Sequence, residues 1–149
     1  MKEIQDLVKK LSASKEHEVV WLGPTDEQQV KKLENALNLS LPEDFNFFLT
    51  ETGGGGVVEQ EISGIEDNNA LDEFGGTVYY DTTYCRDEYS LPEDLAVIYF
   101  KDDEICWCLD CSAENFGKVV SYDLISCKNH SILHNSFKEF LTEYVTLRT

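Results

Sequence analysis

Positive charge is what this sequence has least of. Its 149 residues carry 12 Lys and Arg against 29 Asp and Glu, a formal charge of -17 at pH 7. A deficit of that size, with a pI near 4.3, argues against nucleic acid or an anionic membrane surface as a ligand. Long apolar runs are missing as well, and none approaches the ~18 consecutive residues of a membrane span. The opening Met1-Lys2-Glu3-Ile4-Gln5-Asp6 places acids where a secretory leader needs bases and then an apolar stretch. Cysteine does not form a disulfide framework: five is an odd number, and a chain of this length buries roughly two-thirds of its unfolded surface without staples. A reducing, cytoplasmic setting fits these absences. What is there is a folded chain, because 42% hydrophobic and 11% aromatic residues are too many for disorder.

The charge is unevenly placed. Residues 1–40 hold six bases and seven acids, and residues 128–149 hold three bases and two acids. Residues 41–127 hold twenty acids against Arg86, Lys101 and Lys118 alone, so the whole excess lies in one contiguous segment. Solvated acids need no partner beyond water. A single-sign field also steers association with something basic.

Apolar spacing and caps predict the elements. Ile4, Leu7, Val8 and Leu11 predict a helix ending near Ser12, and Val19 to Leu22 a short strand or connector before Gly23-Pro24. Thr25 with Gln28 reads as a capping box for a helix over 26–38 stopped at Asn38. Pro42, Glu43 and Asp44 open a further helix that Gly53 to Gly56 ends. Residues 57–65 read as strand with a turn at Gly64, 66–76 as loop, and 77–89 as helix. Strands follow at 95–100, 105–109 and 118–122, and Ser136 with Glu139 caps a closing helix. Helices, then a strand meander, then a helix give an α+β order in one domain over 1–149, a mostly antiparallel twisted sheet flanked by N-terminal and C-terminal helices.

The search for chemistry returns little. Gly53 to Gly56 lack the Lys-Ser/Thr of a phosphate loop, and a helix rather than a strand precedes them. Cys108 and Cys111 have C-x-x-C spacing, but no second pair completes a zinc site; Cys106 and Cys108 share one strand face, which suits sheet packing. His130 and His134 are spaced i, i+4 without a HExxH acid and are placed ahead of the last helix cap. Asp102, Asp103 and Glu104 could hold Mg²⁺ or act as acid and base, yet consecutive turn residues point apart. No catalytic, cofactor or metal residue is assigned, and the expectation is a protein that is not an enzyme.

The order of motifs along the chain is more specific than any one of them. Thr25 to Gly56 reads T-x-x-x-x-x-x-x-L-E-x-x-L-x-x-x-L-P-x-D-F-x-x-F-L-x-x-x-G-G. Ile62-Ser63-Gly64-Ile65 follows, then Thr82 to Arg86 leading into Leu91-Pro92-Glu93-Asp94-Leu95-Ala96-Val97-Ile98. Cys108-Leu109-Asp110, Gly117 to Asp123 and Ser136 to Leu141 complete the series. Over about 25–145 this resembles the SUKH superfamily, the Smi/Knr type found as bacterial immunity proteins and fungal cell-wall regulators. Four glycines stand where that family commonly has an Asn-Gly-Gly type end.

The resemblance implies a SUKH-like fold and a cytoplasmic immunity protein. Its partner would be a cognate toxin domain, basic if it is a nuclease, blocked by stoichiometric occlusion. A regulatory scaffold is the alternative implied by the cell-wall branch, and a small acid-dependent hydrolase is a third. Charge and expected exposure select Glu59, Glu61, Glu66, Asp67, Asp72, Glu73, Asp102, Asp103 and Glu104 as partner contacts. Tyr79, Tyr80 and Trp107 are the candidate anchors, provided that they face outward.

Overall fold

In the computed structural model, which describes residues 1–149, the N-terminal apolar stripe forms α1 (Lys2–Ala13) and buries Ile4 and Leu11. The connector Val19–Trp21 is a short strand, β1. Helix α2 (Glu27–Leu37) buries Val30, Leu33 and Leu37, and Asn38 ends it in the left-handed conformation that the sequence suggests. Helix α3 (Glu43–Thr52) starts behind Pro42 with two acids in its first turn and ends at Gly53. Its Phe45 and Phe48 meet Phe137 of the closing helix α5 (Phe137–Thr146), with ring centroids 4.9 and 5.0 Å apart. Cutting either ring back to alanine would cost about 3–5 kcal/mol.

The start of α2 corrects the capping box. Asp26 rather than Thr25 occupies the cap position, and the buried Thr25 hydroxyl has no hydrogen-bond partner. The entry is held from a distance instead. The Asp26 N–H donates to Asn68 Oδ1, and Asn68 Nδ2 donates to Asp26 Oδ2, both at 2.9 Å. The second cap forms at Ser136, whose hydroxyl accepts the Glu139 N–H at 3.1 Å, while the Glu139 carboxylate takes the Asn135 N–H at 3.0 Å rather than that of Ser136.

The glycine run does more than stop a helix. Gly55–Val57 form strand β2, antiparallel to β1 with Val20 opposite Gly56. A Cβ on Gly64 would overlap the Gly53 carbonyl oxygen, so these two backbones touch because Gly64 carries no side chain. The strand expected over 57–65 is not formed. Glu59 adopts φ 74, which breaks the extended path after Val57. The remainder is fastened by isolated bridges, Gly55 to Ile62 and Gly64 to Thr77.

Helix α4 (Val78–Tyr89) opens behind Thr77, whose hydroxyl accepts the Tyr80 N–H. Four antiparallel strands follow in the order β3 (Leu95–Lys101), β4 (Ile105–Asp110), β5 (Val119–Tyr122) and β6 (His130–His134). One face of this sheet meets the core built by the other helices, through Ala96, Ile98, Leu109 and Val119. The other face carries Leu95, Val97, Cys106, Cys108 and Val120 against Cys85 of α4. A bulge at Ile98 lets Ile98 and Tyr99 both face the first layer. Strand β6 is a correction: His130 and His134 lie in a strand rather than in a segment leading to the cap. The whole is one α+β domain of five α-helices with a two-stranded and a four-stranded sheet. No helix is long and apolar enough to cross a membrane.

Candidate functional site

Helix α4 turns Val78, Asp81, Thr82 and Cys85 inward and leaves Tyr80, Tyr84 and Glu88 at i, i+4 and i+8 on its outer side. The Tyr80 and Tyr84 rings stack at 6.0 Å, and Tyr84 and Tyr89 pack on Phe100 of β3 at 5.8 and 6.4 Å. These four aromatics are half-buried. They make a ledge beside the tip of the β3–β4 hairpin.

That tip is Asp102-Asp103, with φ of 56° and 52°, closed by the Glu104 N–H donating to the Lys101 carbonyl at 3.0 Å. Two left-handed central residues match the twist of the paired strands, and aspartate tolerates that conformation better than most residues. Asp103 Oδ1 accepts the Tyr89 hydroxyl at 2.8 Å and the Tyr84 hydroxyl at 3.3 Å. The hydrogen bond to this carboxylate pushes the Tyr89 phenol up to about 12, and its charge pushes Tyr84 up. Asp103 therefore fastens the hairpin tip to α4, while Asp102 and Glu104 stand exposed on either side of it.

Glu61, with Glu59 next to it, lies beside Lys101 at the end of β3. Glu61 Oε2 accepts the Glu59 N–H at 3.0 Å, and Glu61 Oε1 meets Lys101 Nζ at 3.4 Å. Burial raises the Glu61 pKa, but the backbone N–H groups and Lys101 outweigh it and hold the carboxyl below its ordinary value. Arg86 donates to the carbonyls of Leu37 and Glu93 at 2.9 and 3.0 Å. Two of the three bases in residues 41–127 are thus occupied within the fold. Of the twenty acids there, only Asp81 and Asp110 are buried, so the acidic excess reaches the surface.

The remaining sequence-selected residues fall elsewhere. Glu66 and Asp67 form a short 3-10 turn, and Asp72 and Glu73 follow in the loop leading to α4. This group borders the start of α2 through Asn68 and Ala70 rather than the hairpin tip. Tyr79 packs half-buried against the main core. Trp107 does not stand free as an anchor: it stacks on Tyr99 at 4.6 Å and meets Phe140 edge-on at 5.8 Å. It forms one wall of a cavity of about 330 Å³ with Leu133, Phe140 and Leu147.

Cys85, Cys106 and Cys108 meet in the apolar layer under α4, with Sγ separations of 4.0 and 3.7 Å. Hydrogen bonding to Cys106 and burial push the Cys85 thiol up, and contact with Cys108 does the same for Cys106. All three are fully buried and pack as small apolar side chains. Asp81 is a buried carboxylate that the sequence reading passed over. It accepts Ser63 Oγ at 2.7 Å and the Gly76 N–H at 3.2 Å, and burial raises its pKa against those bonds.

The sequence reading named Tyr80 as an anchor and the hairpin-tip acids by their charge; Tyr84, Glu88, Tyr89 and Phe100, which lie beside them in the structure, were not among its candidates. The available signal was the i, i+4 spacing of Tyr80 and Tyr84, which exposes both rings on one helix side. The assembled surface pairs aromatic area with negative charge and suits a protein partner. Comparison with curated proteins gives no match. A family model described as SUKH_5, SMI1-KNR4 cell-wall, matches residues 4–146. The match takes in all five helices and both sheets, and the chain belongs to the SUKH family.

Proposed function

We propose that this protein is an immunity protein that binds and neutralises the toxin domain of a polymorphic or contact-dependent toxin made by the same cell or its kin. The observation that carries the reading is the stacked Tyr80–Tyr84 pair beside the Asp102–Glu104 tip, in a SUKH-family chain whose acidic excess is confined to residues 41–127. A nuclease fits the charge, since its substrate groove must be basic. The acids set the on-rate, the tyrosines set residence time, and the groove is blocked by occupancy rather than by chemistry.

The test begins with the neighbouring genes: a large secreted protein with a toxic C-terminal domain is expected there, and that domain is co-expressed with the chain. Growth is restored and a stoichiometric complex is recovered; continued toxicity with no complex overturns the reading. The family description also names the cell wall, which supports a second reading as a non-catalytic scaffold of the cell-wall-regulator type. Recovery of cell-wall synthesis proteins with the chain, together with unrelieved toxicity, selects that one.

A further inference from the structure

We infer that the free edge of β6 takes up an extended, basic segment of a partner protein, which pairs with it and continues the four-stranded sheet. The inference rests on the reading of a basic protein partner, and it carries the contact from the tyrosine ledge round the hairpin tip to the sheet edge. Strand β6 lies at the outer end of the sheet, and four of its five residues are exposed. Its hydrogen-bonding phase follows from one contact. The Asp123 N–H donates to the Asn129 carbonyl at 2.9 Å, which makes Ser121 and Ser131, two residues along, the next bonded pair. His130 and Ile132 therefore turn their N–H and C=O groups away from the sheet.

The opposite edge differs. On β3 the Val97 N–H donates to the Thr82 hydroxyl at 2.9 Å, and the Ile98 carbonyl accepts the Ser63 N–H at 2.7 Å. That edge is closed by the chain itself, whereas β6 carries neither proline nor lysine to guard it. An added strand also finds apolar area there, since Ile132 is 53% exposed and Ile125, in the turn before β6, is 96% exposed.

Charge selects the occupant. An open groove of about 750 Å³ joins the hairpin tip to the start of β6, with Asp103, Glu104 and Asp123 in its walls beside Ile125, His130 and Ser131. No lysine or arginine lines it, and Lys128, two residues ahead of His130, stays outside it. Asp110 adds a fourth carboxylate, its Oδ2 3.9 Å from His130 Nε2. None of these four acids is paired with a lysine or arginine. Unpaired backbone groups therefore lie next to uncompensated negative charge. A second copy of a -17 chain is repelled from such a place, and a neutral strand leaves the charge unmet. An extended segment with arginine or lysine at alternate positions meets both demands: its backbone pairs with β6 and one row of its side chains meets the acids.

Amide hydrogen exchange of the full chain, titrated with a capped peptide of alternating arginine and valine, tests this. The His130 and Ile132 amides should slow roughly tenfold or more at saturation. Two peptides of the same length divide the causes. One, N-methylated at every residue, keeps the charge but cannot donate to β6; the other, of alternating glutamate and valine, keeps the pairing but reverses the charge. Each should bind roughly tenfold or more weakly than the first. Raising salt from about 50 to about 500 mM should weaken the arginine peptide. Ile132→Pro removes an outward donor and Ile132→Lys sets a like charge on the edge, so each should cost roughly tenfold in affinity with circular dichroism unchanged. Absence of binding by the arginine peptide overturns the inference. So does equal binding of the N-methylated peptide, which is attraction by charge alone, or equal binding of the glutamate peptide. An affinity that neither folded variant changes overturns it too, as does slowing of the two amides when the protein alone is concentrated. The assay contains no toxin domain, so its failure leaves the immunity reading to the co-expression test, and failure of that test leaves the peptide result standing.

Discussion

Asp103 at the tip of the β3–β4 hairpin accepts the hydroxyl of Tyr89, the last residue of α4, at 2.8 Å. The bond crosses from one element to another and is reinforced by Tyr84 on the same oxygen at 3.3 Å. A residue chosen from the sequence as a steering charge is thus also the clasp that sets the position of the tip.

Separating those two roles is the first prediction. Asp103→Asn keeps an acceptor oxygen but removes the charge, so spectrophotometric titration should show Tyr89 falling from about 12 toward the ordinary tyrosine value. Asp103→Ala should instead speed hydrogen exchange through the Lys101–Glu104 turn. An unchanged Tyr89 titration in both variants would contradict the assigned contact.

The proposed steering role falls to the acids that are not tied, Asp102 and Glu104. Reversing Asp102 and Glu104 to lysine should slow association with a basic partner domain by about tenfold and flatten its salt dependence. Dissociation should barely change. Tyr84→Ala should do the opposite, raising the dissociation rate by a factor consistent with about 2 kcal/mol while leaving the on-rate alone. Stopped-flow measurements on the complex separate the two effects.

Gly64 gives a stability prediction with a built-in control. A methyl group there meets the Gly53 backbone, which has no flexible end to give way, so Gly64→Ala should lose about 3 kcal/mol in urea unfolding. At Gly75 an added Cβ meets nothing within 4 Å, so Gly75→Ala should be neutral or slightly stabilising. Equal effects at the two sites would count against the close approach.

Asp81 predicts a pH effect whose sign opposes that of most surface acids. Its folded pKa is raised by burial, so the folded state holds this proton more tightly than the unfolded chain does. Its contribution is present below the unfolded pKa and is lost as pH rises through the folded one. Asp81→Asn, with its oxygen toward the Gly76 N–H and its amide toward Ser63 Oγ, should gain melting temperature at neutral pH. The gain should shrink on acidification. A difference that stays constant with pH would reject the buried carboxylate as its cause.

Local chemistry explains which parts were legible in the sequence. Pro42, Asn38, Thr77 and Ser136 act within a few residues of themselves, and each bounds the helix expected of it. Thr25 misled because the α2 entry is held by Asn68, forty-two residues away. The segment 57–65 alternates like a strand, yet the left-handed Glu59 turns it aside, and Ser63 meets the outer edge of β3 through the Ile98 carbonyl. Strand β6 went unseen for a different reason: an edge strand with few buried residues has little hydrophobic alternation to display. In the candidate surface, acidity pointed to the hairpin tip, but the tyrosine ledge needed the helix surface to be assembled first.

The extra residue at Ile98 has a consequence for that ledge. Up to Val97 the odd-numbered residues of β3 face α4; beyond the bulge Phe100 does, and Tyr99 goes to the Trp107 stack. In an unbroken ladder the two neighbours would exchange places, with Tyr99 beneath Tyr84 and Phe100 against Trp107. One inserted residue therefore sorts a pair of adjacent aromatics, sending one into the interior and leaving the other half-buried on the tyrosine ledge.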